Sequence, residues 1–152
     1  MKDRSLDSFS PCIVDFCCWW CGYGAADLAG ATNMIYPSNV KVVRVPCLGR
    51  VDDVLVMQTL NQGADGVMLT GCLESNCHHM DGSRRANARI AELKEMLKTV
   101  GLEGRVQIYL MTAAMADEYA KSVREFTDAI GKLGPNPLAK ANRVSRETES
   151  ME

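Results

Sequence analysis

No run in this chain approaches the eighteen or so apolar residues that a membrane span requires, and the charged start Met1-Lys2-Asp3-Arg4-Ser5-Leu6-Asp7 lacks the apolar core of a secretory signal. The sequence therefore predicts no membrane association and a cytoplasmic location. There is no basic stripe either. With a formal net charge of -2, nothing gathers the cations that phosphate neutralisation needs, so nucleic acid is excluded as an expected partner. A phosphate-cradling glycine loop, a nucleophile–base pair and a paired acid–base carboxylate set are all missing, as are internal repeats and low-complexity blocks. Enzymatic chemistry on a substrate of its own has no visible machinery.

What the chain does have is sulfur. Seven cysteines are an odd number, and Cys17 and Cys18 are adjacent, a pattern that suits metal or redox chemistry in a reducing compartment better than a disulfide framework. Five of them fall at three places: Cys18-Trp19-Trp20-Cys21, Cys47, and Cys72 with Cys77. Each place follows a short apolar run with strand character.

Four such runs are legible: Cys12 to Phe16, Val40 to Val45, Gly66 to Thr70 and Val106 to Leu110. Helical patterns lie between and after them. Ala86, Ile90, Leu93, Leu97 and Val100 form one stripe, with Asp81 or Ser83 as N-cap and Gly101 as the stop; Tyr119, Val123, Phe126, Ile130 and Leu133 form another, closed by Gly134-Pro135. Asp52 to Asn61 and the Ala- and Gly-rich stretch Tyr23 to Met34 supply two more helices. Strand alternating with helix predicts an α/β fold: a single three-layer domain on a four-stranded, mostly parallel sheet. The charge-free Val67-Met68-Leu69 belongs at the centre and Val40 to Val45, with Lys41 and Arg44, at an edge, which gives the order 2-1-3-4. Residues 1–9 read as an extension, 10–134 as the domain and 135–152 as a polar tail.

Ligands in open α/β sheets bind beyond the carboxyl ends of the strands, where the winding reverses. The predicted order makes strands one, two and three neighbours there, so Cys18, Cys21, Cys47, Cys72 and Cys77 should line one rim. Thiolates suit iron–sulfur clusters because soft sulfur donors match the iron, and Gly22, Gly24, Gly49 and Gly71 would let backbone amides approach the sulfurs. Cys12, inside the first strand, is expected to pack as a small hydrophobe. Alternation sends Cys17 and Cys18 to opposite faces, and Cys18, which completes the Cys-x-x-Cys, is the one expected at the rim.

Other readings of the same residues stand beside this one. His78 and His79 next to Cys77 make a Cys/His set of the kind that holds zinc, as a scaffold or adaptor would use it, or they are surface or capping histidines. Cys18 and Cys21 could serve thiol–disulfide exchange. Trp19 and Trp20 are core fillers, or a shield for a cluster and an anchor for a partner.

Taken together, Phe16-Cys17-Cys18-Trp19-Trp20-Cys21-Gly22-Tyr23, Tyr36-Pro37, Val43-Arg44-Val45-Pro46-Cys47-Leu48-Gly49-Arg50, Gly63-Ala64-Asp65-Gly66-Val67 and Gly71-Cys72 through Cys77-His78 resemble the delta subunit of methyl-viologen-reducing hydrogenase, over about Ile13 to Gly134. The family's five characteristic cysteines map onto Cys18, Cys21, Cys47, Cys72 and Cys77, four of which would be ligands. The resemblance implies a [2Fe-2S] protein that relays electrons between a hydrogenase, or a formate dehydrogenase in its place, and the flavin-bearing subunit of a heterodisulfide reductase complex. Trp19 stands where that family often has a polar residue, and His79 where it often has an aromatic one.

Overall fold

In the computed structural model, which describes residues 9–139, the chain runs β1 (Ile13–Cys18), α1 (Cys21–Ala31), β2 (Val40–Val45), α2 (Asp53–Asn61), β3 (Gly66–Gly71), α3 (Gly82–Thr99), β4 (Val106–Leu110) and α4 (Ala116–Leu133). Single 3-10 turns occupy Leu48–Arg50 and Glu74–Asn76. The four strands pair in parallel in the order β2-β1-β3-β4, the predicted arrangement. Among the described residues, no helix is long and apolar enough to cross a membrane.

Period-2 alternation in the two central strands separates the cores. Phe16 and Cys18 of β1 and Val67 and Leu69 of β3 face a core closed by α2 and α3, with Val56, Leu60, Ile90, Leu93 and Leu97. Ile13, Cys17 and Met68 face the other, closed by α1 and α4, with Ala25, Ala29, Tyr119, Val123, Phe126 and Ile130. This is how strands buried on both faces divide their side chains. Edge strand β2 is the exception, with Val42 and Val43 both exposed.

The second core holds a polar bridge. The fully buried Asp15 carboxylate accepts hydrogen bonds from the Cys17 thiol at 3.2 Å, the Thr70 hydroxyl at 2.9 Å and the Tyr119 hydroxyl at 3.0 Å, joining β1, β3 and α4. Burial raises the Asp15 pKa, and the three donors only partly oppose it.

At the opposite end of the sheet from the cysteines, Asp65 accepts from the Cys12 amide and from the Asn136 amide, both at 2.9 Å. Buried Arg105 donates to the carbonyls of Asp65, Gly134 and Pro135 at 2.9, 3.1 and 3.3 Å, and the Asn136 side chain donates to those of Leu60 and Ala64. Asn136, within the polar stretch read as a tail, is fully buried here because it satisfies two carbonyls that end α2 and precede β3. The rest of that stretch from 140 on, and the extension at 1–8, lie outside the described residues.

Several expectations need correcting. Cys12 is exposed and precedes β1: its backbone is tied to Asp65 and Gly66, so its thiol faces solvent and does not pack in the strand. The first helix begins at Cys21, not Tyr23, and ends at Ala31, before Asn33 at φ 55°. Val100 and Leu133 fall out of their stripes, being 63% and 48% exposed: Val100 is already past the last residue of α3, and Leu133 is the final residue of α4. Asp81 precedes α3 without capping it through its side chain, its carboxylate being drawn to Arg85 at 2.6 Å.

Candidate metal centre

The carboxyl ends of β1, β2 and β3 bring their cysteines to one rim. Cys18 is the last residue of β1, Cys21 the first of α1, Cys47 the second residue past β2, Cys72 the first past β3, and Cys77 ends the turn that leads to α3. Two groups result. Cys72 sits at the centre of the first: its Sγ lies 3.6 Å from Cys18 Sγ, and Cys21 Sγ, Cys72 Sγ and a His78 ring nitrogen all lie within 4.8 Å of one another. Cys47 and Cys77 form the second through a direct side-chain interaction, and the charge of Cys18 is felt at Cys47 across the gap between the groups.

Backbone amides point at the sulfurs from every loop. The Gly22 amide, in the first turn of α1, donates to Cys18 Sγ at 3.2 Å, and the Gly49 amide donates to Cys47 Sγ at 3.4 Å. His78 supplies an amide to Cys72, and Ser83 and His79 supply theirs to Cys77. Of the four glycines expected to give amides to sulfur, Gly22 and Gly49 do so. Gly24 and Gly71 serve packing instead: a Cβ on Gly24 would press on Ala113 and one on Gly71 on Leu48.

These surroundings set the thiols apart electrostatically. Burial pushes the pKa values of Cys18, Cys47 and Cys72 up, and the amides only moderate that. At Cys77 burial also acts upward, but the Ser83 and His79 amides and the Ser83 hydroxyl outweigh it, and the pKa falls. In the metal-free protein Cys77 should therefore be alkylated by iodoacetamide at neutral pH before Cys18, Cys47 or Cys72, as read by peptide mass spectrometry. Faster labelling of Cys18 would overturn this electrostatic account. A buried Cys18 with a raised pKa is also a poor attacking thiol, which counts against dithiol exchange at Cys18 and Cys21.

The donor set fits a thiolate-bound metal centre. Metal–sulfur bonds of about 2.3 Å in tetrahedral geometry put two sulfurs about 3.8 Å apart, close to the Cys18–Cys72 separation of 3.6 Å. Amides aimed at sulfur stabilise thiolate charge and help set the potential of a bound cluster. Cys17 is turned away, bonded to Asp15 with its pKa raised by burial, so the rim receives only one of the adjacent pair.

The family model for the delta subunit of methyl-viologen-reducing hydrogenase matches residues 13–134. The chain belongs to this family. The vhu iron-sulfur delta-type subunit of the F420-non-reducing hydrogenase from Methanocaldococcus jannaschii is 42% identical over 129 residues, covering 84% of this chain and 96% of that protein. Its counterpart from Methanopyrus kandleri is 41% identical over 124 residues, 81% of this chain and 94% of that protein. A third relative is much longer. It belongs to the ferredoxin/F420H2-dependent CoB-CoM heterodisulfide reductase of Methanosarcina acetivorans, and is 37% identical over 126 residues, 82% of this chain but 16% of that protein. Delta-subunit relatives thus occur both as small separate chains and as a segment of a larger one.

Two residues of the rim carry no signal in the sequence. A Cβ on Gly82 would lie 2.2 Å from Cys47 Sγ and 3.4 Å from Cys77 Sγ, so only glycine leaves room for both thiols. His78 stacks on Trp20 with ring centroids 4.5 Å apart and planes within 6°, linking the loop after β3 to the loop after β1. Trp19 and Trp20 are half exposed and do not fill the core; the Arg44 guanidinium lies 3.9 Å over the Trp19 ring and 4.7 Å from that of Tyr23.

Proposed function

We propose that the chain is an electron-transfer subunit that holds one [2Fe-2S] cluster on four of Cys18, Cys21, Cys47, Cys72 and Cys77. The observation that carries this reading is the meeting of five thiols from three strand ends in two neighbouring groups, as a two-iron core with two protein sulfurs on each iron demands. When bound, such a cluster takes up and releases single electrons. The protein's own part is to supply thiolates, aim amides at them and shield the site; no acid–base or nucleophilic set accompanies the rim.

In this reading the chain works in the cytoplasm, inside a complex. It passes electrons between a hydrogenase, or a formate dehydrogenase in its place, and the flavin-bearing subunit of a heterodisulfide reductase-type complex. Two findings support those partners. Small iron-sulfur subunits of F420-non-reducing hydrogenases match the chain nearly end to end, and a long heterodisulfide reductase polypeptide carries a similar segment within itself. A partner that in one organism is the same polypeptide is a natural neighbour where the two are separate.

A second reading, zinc held for folding alone, draws on the Cys21, Cys72 and His78 donors. Anaerobic purification separates the two. The cluster reading expects a brown protein with iron and acid-labile sulfide in equal amounts, bleached by dithionite with the appearance of an EPR signal. A colourless sample containing zinc would mean that the centre carries no electrons.

A further inference from the structure

We propose that His78 is a positioning residue of this centre: its Nδ1–H donates to the Cys72 sulfur when that sulfur is metal-bound, and so raises the reduction potential. The inference rests on the cluster reading above. Three observations on different atoms support it. His78 Nδ1 lies 3.9 Å from Cys72 Sγ, near enough to become a donor once that sulfur carries thiolate charge. The ring cannot swing freely, because it lies flat on Trp20, whose next residue is Cys21. The His78 backbone amide is also directed at Cys72, so one residue addresses the same sulfur twice.

The stack gives the imidazole two duties that can be separated. As an aromatic surface it ties the Cys77 loop to the Cys18–Cys21 loop, and both loops supply sulfurs to the rim. As a donor it lowers the free energy of the more negative, reduced cluster relative to the oxidised one, which moves the potential upward. The side chain is exposed, so replacing it does not open the core.

Two variants of the full chain decide the matter. His78→Phe keeps a ring that stacks on Trp20 but has no N–H. We expect unchanged iron and sulfide content and a midpoint potential, from an EPR-monitored redox titration, lower by about 59 mV or more, a tenfold change in a one-electron equilibrium. His78→Asn, whose side-chain amide reaches a similar position, should retain the wild-type potential. An unchanged potential in the Phe variant overturns the proposal. So does loss of its cluster, or an altered ligand signature in its EPR spectrum, because His78 would then be a ligand. Absence of iron and sulfide from the wild-type protein is a different result, and it removes the cluster reading itself.

Discussion

Serine at Cys47 or Cys77 abolishes the visible absorption of the loaded protein, whereas among Cys18, Cys21 and Cys72 one serine variant keeps it. The asymmetry follows from the grouping of the sulfurs. Cys47 and Cys77 stand as a pair with no third thiol in their group, so an iron bound there has no replacement when one is lost. Cys18, Cys21 and Cys72 crowd the other position, where one sulfur exceeds what a second tetrahedral iron can use. A serine hydroxyl is a hard donor that does not ionise at neutral pH, so at a required position it loses most of the iron. Absorbance and iron-to-protein ratio across the five variants provide the measurement. Full iron content in Cys47→Ser or Cys77→Ser would sink the division into two and three.

Gly82→Ala should be nearly as damaging to cluster content while leaving the fold in place. The added methyl would lie 2.2 Å from Cys47 Sγ, so the thiol must leave its position beside Cys77. The helix itself gains, since alanine in the first turn of α3 is a better helix former than glycine by up to about 1 kcal/mol. The expected result is a protein with unchanged circular dichroism that retains under half of the wild-type iron. Gly131→Ala is the control: nothing lies within 4 Å of its added carbon in α4, and it should stabilise by about 0.5–1 kcal/mol with full iron content. If Gly82→Ala loads as well as Gly131→Ala, the placement of Cys47 is wrong.

The topology was legible because the central strands announce themselves: β3 is free of charge and buried on both sides, and edge strand β2 carries Lys41 and Arg44. Period-2 alternation was enough to send Cys17 and Cys18 to different faces, and the strand order then drew three cysteine loops to one rim. Precision at single residues was not available. Starting β1 one residue too early buried Cys12, whose thiol is in fact outside. Asp81-Gly82-Ser83 reads in sequence as a helix start, and the demand on Gly82 arises only once Cys47 arrives from another loop. The His78–Trp20 stack depends likewise on two loops distant in sequence, and polar Asn136 looked like solvent-facing chain until its three hydrogen bonds to buried partners were seen.

Because a single Asp65 carboxylate grips the amides of Cys12 and Asn136, the chain enters and leaves the domain at neighbouring points, behind the sheet as viewed from the sulfurs. Such a body can be spliced into a host polypeptide through two short linkers, or tethered to an electrode there, with its sulfur-bearing side still turned outward. The Methanosarcina acetivorans protein, in which a similar segment makes up 16% of the length, shows that evolution has made a junction of this kind.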